Sequence, residues 1–135
     1  MMNKVFLKGN LTRDPEVREV TIGGRTTTVA SFGVATTGFR KDADGGSERT
    51  SEFHACEAWD KNAELIGKLC TKGDPILIEG SLKTDTWETE DGTKRSKTKI
   101  KVFTFDKLAR FTSQSEDTVD NTSQEPVTAG ADINF

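Results

Sequence analysis

Residues 49–80 read RTSEFHACEAWDKNAELIGKLCTKGDPILIEG, and the order of patterns in this stretch decides the fold. It begins with the alternation of a strand, continues with an apolar stripe at helical spacing, and ends in the apolar run 76–78. Asp60 is predicted to cap the start of the helix and Gly73 its end, which places the helix from Asp60 to Thr71. The stripe consists of Leu65, Ile66, Leu69 and Cys70. The stretch therefore predicts a strand–helix–strand unit.

The first strand of this unit carries aromatic residues on an unexpected face. Successive side chains of a strand point to opposite sides, so one side, predicted to face solvent, holds Phe53, Ala55, Glu57 and Trp59. His54 and Cys56 then point toward the core or a neighbouring subunit. Core packing does not require two aromatic rings on a solvent face, and we therefore expect this face to bind a ligand.

The remaining strands surround this unit. Alternation predicts strands over residues 3–9, 16–22, 26–37, 81–88 and 94–106. Gly23-Gly24 and the stretch 90–92 are typical of hairpin turns, and residues 38–51 are predicted to form a polar loop. Gly33 and Gly80 are predicted to let strands bend. Five or six strands with a single helix after the third long strand predict an all-β fold with one helix, specifically an OB-fold, a five-stranded Greek-key barrel.

Composition restricts the class of protein. A chain of 135 residues is predicted to hold one core, and it contains no apolar run near the ~18 residues of a membrane helix and no signal-peptide pattern. Cys56 and Cys70 form no disulfide framework and have no metal-ligand spacing. We expect a cytoplasmic, nucleoid-associated protein without cofactors.

Charge divides the chain in two. Residues 112–135 carry five carboxylates and no Lys or Arg, so residues 1–111 hold all 19 basic residues and the other 17 acidic ones, a formal charge of +2. The acidic part contains few apolar residues and cannot bury enough surface to offset its ordering entropy. We therefore predict a folded domain at 1–111 and a disordered tail at 112–135.

Residues that would indicate catalysis are sparse. The chain has one histidine, His54, and no Gly-rich phosphate loop or His/Cys cluster. Carboxylates are scattered over turns and strand faces, where we expect them to be solvated. A binding protein is favoured over an enzyme, although sequence leaves open an OB-fold nuclease whose acidic residues converge on a metal.

Aromatic and basic residues alternate in a way that favours nucleic acid. Any one ring could be part of the core, but four rings beside cations predict a platform on which bases stack irrespective of sequence. The predicted DNA-binding residues are Phe39, Arg40, Lys41, Phe53, Trp59, Lys61, Lys72, Lys83 and Trp87. The paired aromatic submotifs of the RNA-recognition sheet are not found, yet an OB-fold RNA-binding or primosome-type accessory protein remains an alternative. Preference for oligo-rU over oligo-dT would favour that alternative.

Three stretches resemble one known family. NKVFLKGNLTRDPEVR at 3–18, SEFHACEAWDKNAELIGKLCTKGDPILIEGSLKTDTW at 51–87 and DINF at 132–135 are similar to the bacterial single-stranded DNA-binding proteins. The resemblance implies a protein that coats single-stranded DNA during replication, recombination and repair. It also implies that Phe39, Phe53, Trp59 and Trp87 stack on bases. Asp85 departs from the family by adding an acidic group beside Trp87.

The resemblance also implies partners. His54 matches a subunit contact of the family and implies a homotetramer, to which we add Val5 and Phe6 because their strand is apolar on both faces. Asp132, Ile133 and Phe135 match a terminal peptide that docks replication and repair proteins, although Asn134 stands where the family has proline. Chromosomal, phage and plasmid origins are all compatible with the sequence.

Overall fold

The strand–helix–strand unit lies inside a sheet of six strands. The computed structural model describes residues 1–110. Its elements are β1 (Val5–Leu11), β2 (Glu16–Ile22), β3 (Arg25–Lys41), β4 (Ser47–Trp59), α1 (Asp60–Leu69), β5 (Pro75–Glu88) and β6 (Lys94–Lys107).

Five of the strands close into a barrel. The order is β1-β5-β6-β4-β3-β2, and a further pairing of β1 with β3 joins the ends of the ring, leaving β2 outside it as a hairpin arm of β3. The β4–β6 pair is parallel, while the other pairs within residues 1–110 are antiparallel. This arrangement confirms the predicted OB-fold barrel with one helix.

Two glycines allow the barrel to close. A Cβ at Gly9 would overlap the carbonyl oxygen of Ala35 on β3, and a Cβ at Gly80 would overlap that of Lys101 on β6. Gly80 also lies at a register shift between β5 and β6, where Phe103 is the extra residue. The bend predicted at Gly80 therefore lies opposite a β-bulge of β6, and β5 continues through it as one strand.

The helix plugs one end of the barrel. Ala63 and Ile66 are completely buried and join a core that includes Phe32, Val34 and Ile78. Burying a side chain of the size of Ile66 contributes about 1.5–3 kcal/mol. The apolar stripe was thus predicted correctly in kind, but Leu69 is half exposed and Ala63 takes part instead.

The helix begins at Asp60 as predicted, but its capping residues and its C-terminal end differ from the prediction. Trp59 is the N-cap residue and makes no side-chain capping bond, while Asp60 is the first helical residue, with φ of 54°. Asp60 accepts a hydrogen bond from the Thr27 hydroxyl, so its carboxylate ties the helix to β3 rather than capping it. The helix ends at Leu69, with Cys70 as C-cap, because the chain turns there toward Asp74.

Asp74 fastens the loop after the helix. It is almost fully buried and accepts hydrogen bonds from the backbone N–H of Thr71 at 2.8 Å and from Nε of Arg110 at 2.5 Å. Lys107 lies 3.7 Å from the same carboxylate. The Thr71 hydrogen bond, followed by that of Arg110, lowers the pKa of Asp74 to about 2.

The predicted loop at 38–51 is mostly wrong. β3 runs on to Lys41 and β4 starts at Ser47, so only residues 42–46 form the turn. Asp42 holds this turn by accepting hydrogen bonds from the backbone of Asp44 and Gly46. The polar composition of residues 38–51 suggested a loop. Here β3 and β4 instead continue as a two-stranded ribbon beyond the core, where strands need no apolar face.

Two predictions concern the part of the chain that lies outside the described residues. The tail prediction for 112–135 and the partner residues Asp132, Ile133 and Phe135 lie there. Within residues 1–110, no helix has the length and apolar character needed to cross a membrane.

Candidate nucleic-acid interface

The outer sides of β4, β5 and β6 form one surface, which we call the aromatic face. It carries Phe53 and Trp59 from β4 and Trp87 from β5. Phe53 is 73% exposed and Trp87 46% exposed, while Trp59 is partly buried. Phe53 and Trp59 lie six residues apart, or ~20 Å at ~3.3 Å per residue, so the face can accommodate several nucleotides.

The centre of the aromatic face is hydrogen-bonded across three strands. Trp59 Nε1 donates to Glu57 Oε1 at 3.0 Å, and Lys99 Nζ on β6 donates to Glu57 Oε2 at 2.8 Å. The same Lys99 ammonium lies 2.7 Å from Asp85 Oδ2 on β5. Hydrogen bonds to Asp85 and then Glu57 raise the pKa of Lys99, and the bond to Lys99 lowers that of Asp85.

Glu57 is therefore not the solvated carboxylate that the sequence predicted. It points outward, as alternation requires, yet only 6% of the residue is exposed because Trp59 and Lys99 cover it. A carboxylate removed from water needs such partners, since burial without them is costly.

Basic residues line the aromatic face more densely than the predicted set of DNA-binding residues indicated. The outward side of β6 holds Arg95, Lys97, Lys99 and Lys101. In the antiparallel register Arg95 lies opposite Trp87, and Lys99 opposite the predicted Lys83. The signal was the alternation in KRSKTKIK at 94–101, which net charge concealed. Apart from Lys99, these cations make no ion pair within residues 1–110.

Phe103 continues this row beyond Lys101. The ring is 71% exposed at the bulge of β6, and the Lys4 ammonium lies 5.5 Å from its centroid. Phe103 is not among the predicted site residues, although the alternation of β6 leads directly to it.

The β3–β4 ribbon extends the aromatic face. Phe39 lies opposite Arg49 in the register and on the same side of the ribbon as Phe53 and Lys41. It is 72% exposed. Arg40 points to the other side, where its Nε donates to Glu48 at 3.0 Å. The structure thus groups Phe39, Lys41 and Phe53 but not Arg40.

Two predicted lysines lie at the helix. Lys61 is exposed in the first turn, two residues after Trp59. Lys72 lies past the far end of the helix, where its backbone N–H donates to Asp14 and its carbonyl accepts from Arg110. Lys72 is therefore not part of the aromatic face.

The candidate subunit-contact residues lie on β1 and β4. His54 Nε2 is 2.9 Å from the Thr36 hydroxyl, on the ribbon side opposite Phe53. Phe6 is 71% exposed on β1, whereas Val5 is partly buried against the core. Phe6 and Leu77 line a concavity of about 190 Å³.

A concavity lies beside Trp59. It has a volume of about 270 Å³ and is lined by Ile22, Arg25, Thr27 and Asp60. Among residues 1–110 no three His, Cys, Asp or Glu side chains gather in a way that could hold a metal ion.

Known proteins share the sequence pattern of this chain. Residues 2–115 match the model of the Single-strand binding protein family. The chain belongs to this family. A single-stranded DNA-binding protein of Xylella fastidiosa is 40% identical over 99 residues, which are 73% of this chain and 58% of the relative. One from Thermus thermophilus is 36% identical over 132 residues, 98% of this chain and 47% of the relative. The chain thus spans about half the length of these relatives.

Solved structures of the family agree with the fold. The Plasmodium falciparum SSB in complex with ssDNA has a TM-score of 0.70 at 27% identity, covering 81% of this chain and 96% of that one. A deletion mutant of the single-stranded DNA binding protein from Thermus aquaticus has a TM-score of 0.67 at 28% identity, covering 80% and 51%.

Proposed function

We propose that this protein binds single-stranded DNA without sequence specificity by stacking bases on the aromatic face. The observation that carries this proposal is that Phe53, Trp59 and Trp87 share one outer surface with Lys83, Lys97 and Lys101. Rings provide stacking to any base, and the cations neutralise phosphates. The family relatives are named as single-stranded DNA-binding proteins, and one similar structure is a complex with ssDNA.

In this role the protein coats and protects single strands during replication, recombination and repair. It is a binding protein and not an enzyme, and it works in the cytoplasm beside the nucleoid. It needs no cofactor, because stacking and charge neutralisation require only the side chains of the chain itself.

Affinity for oligo-dT tests the proposal. Phe53→Ala and Trp87→Ala each remove one exposed ring, and each is expected to weaken binding by about 1–3 kcal/mol per stacked base. Leu69→Ala is the control, because Leu69 is also half exposed but lies on α1, outside the aromatic face. Equal affinities of all variants would contradict the platform, and a preference for oligo-rU would favour the RNA-binding alternative.

We further propose that the protein is a homotetramer whose contacts include Val5, Phe6 and His54. An exposed Phe6 beside the 41%-exposed Leu77 supports this proposal, since a partner subunit would remove both from water.

The acidic segment 112–135 is proposed to recruit replication and repair proteins through Asp132, Ile133 and Phe135. The support is its charge of five carboxylates without a cation, followed by two apolar residues. Removing the residues after Asp132 should abolish partner capture and leave oligo-dT affinity intact. Partner capture by the shortened chain would contradict this role.

A further inference from the structure

Glu57, Lys99, Asp85 and Trp59 form a connected group at the centre of the aromatic face, which we call the carboxylate–lysine cluster. Each Glu57 oxygen accepts one hydrogen bond, from Trp59 at 3.0 Å and from Lys99 at 2.8 Å. Asp85 engages Lys99 from the other side at 2.7 Å. The cluster thus links the indole of β4 to the strand that carries Trp87.

The degree of burial distinguishes Lys99 from its neighbours. Its side chain is 20% exposed and that of Glu57 8%, whereas Lys97 and Lys101 are exposed on the same strand. Breaking a buried pair leaves one charge uncompensated, so Lys99 gains little by leaving Glu57 for a mobile phosphate. Two carboxylates around one ammonium also give the cluster a formal charge of −1, which repels phosphate.

The same contacts determine the position of Trp59. An indole has one hydrogen-bond donor, and here that donor is used on a carboxylate which Lys99 itself holds. Trp59 is partly buried and held by this bond, whereas Trp87 makes no side-chain hydrogen bond within residues 1–110. A ring held before DNA arrives loses less conformational freedom when a base stacks on it.

We propose that the carboxylate–lysine cluster positions Trp59 for stacking, and that Lys99 acts through Glu57 as a positioning residue and does not bind phosphate. The phosphate backbone of the DNA then runs over the exposed cations Lys83, Lys97 and Lys101, while the bases lie over the carboxylate–lysine cluster. This inference rests on the proposed function and assigns different roles to lysines of one β-strand.

The salt dependence of oligo-dT binding separates the two roles of lysine. Each phosphate neutralised on a single strand adds ~0.7 to the slope of log K against log salt concentration. Lys97→Met is therefore expected to reduce the slope by ~0.7, and Lys99→Met to leave the slope unchanged. A reduction of ~0.7 in Lys99→Met would overturn the proposal, because Lys99 would then be an ordinary phosphate ligand.

A second variant keeps the test independent of folding defects in Lys99→Met. Glu57→Gln combined with Asp85→Asn preserves an oxygen acceptor for Trp59 and removes both anionic partners of Lys99. The freed ammonium is expected to bind phosphate and to steepen the slope by ~0.7. The control is Glu88→Gln combined with Glu90→Gln, which makes the same change of charge on exposed residues of the β5–β6 hairpin, where Asp85 also lies. We expect the wild-type slope for this control.

The positioning role has its own readout. Glu57→Leu removes the indole acceptor and is expected to lower affinity at high salt by up to the ~5- to 150-fold of one stacked base, while Glu57→Gln retains it. Equal affinity of the Leu and Gln variants, or an unchanged slope in the double variant, would overturn the proposal. Failure of the wild-type protein to bind oligo-dT would instead overturn the proposed function and this inference with it.

Discussion

Single residues of the aromatic face differ in how far the sequence revealed them. Alternation identified Phe53 and Trp59, because side-chain direction in a strand depends only on position. It could not reveal that Glu57 is buried, since its cover comes from Trp59 and from Lys99 on a strand more than 40 residues away. Burial of a polar group is decided by tertiary contacts, which no local pattern contains.

Asp74 is expected to make the stability of the folded chain depend on pH. Its pKa of about 2 lies below an ordinary value of 3.8, so the ionised form is favoured in the folded chain. The stability it contributes is fully present above pH ~4 and is lost as the pH falls toward ~2. Asp74→Asn should therefore lower the free energy of unfolding at pH 7, by an amount that shrinks on acidification.

Denaturant unfolding at several pH values checks this expectation. The control is Asp106→Asn, which removes an exposed carboxylate that makes no ion pair within residues 1–110. A loss of stability in Asp74→Asn that is the same at pH 7 and at pH ~2 would contradict the role assigned to the ionised carboxylate.

Among the elements, the presence of the strands was predictable, but several of their ends were not. β2 was predicted with its observed bounds, since Gly23-Gly24 defines the turn that follows it. β3 and β4 were predicted too short, because the ribbon outside the barrel lacks the apolar alternation on which the prediction relied. Backbone pairing of Phe39 with Arg49 continues the ribbon without a core.

Closure of the barrel at Gly9 yields a prediction about these elements. Gly9→Ala places a Cβ against the Ala35 carbonyl and should force β1 and β3 apart. We expect a loss of about 1–3 kcal/mol in the free energy of unfolding, the usual cost of overpacking. Gly38→Ala is the control, because its nearest contact would be the Thr50 hydroxyl at 3.4 Å. Similar stability of both variants would show that the closure tolerates a side chain.

For the whole molecule, the net charge of the chain conceals the distribution of charge. Residues 1–111 have a formal charge of only +2, yet alternation on β6 collects Arg95, Lys97, Lys99 and Lys101 on one side. The register with β5 then brings that side to Trp87 and Lys83. Strand pairing over long sequence distances made this grouping, and composition could not show it.

Assembly can be tested at the apolar patch of Phe6 and Leu77. Phe6→Asp places a charge on the exposed apolar patch with Leu77 and should lower the solution mass from that of four chains. Phe53→Asp is the control, as it changes an equally exposed ring on β4, within the aromatic face. Mass measurement by light scattering checks both, and an unchanged mass for Phe6→Asp would contradict the proposed contact.

Stacking of bases on the aromatic face can be measured by tryptophan fluorescence. Trp59→Phe and Trp87→Phe each leave a single tryptophan, which reports on its own position during titration with oligo-dT. We expect saturable quenching in both variants, because a stacked base lies against each ring. Binding of oligo-dT that leaves the fluorescence of both single-tryptophan variants unchanged would contradict it.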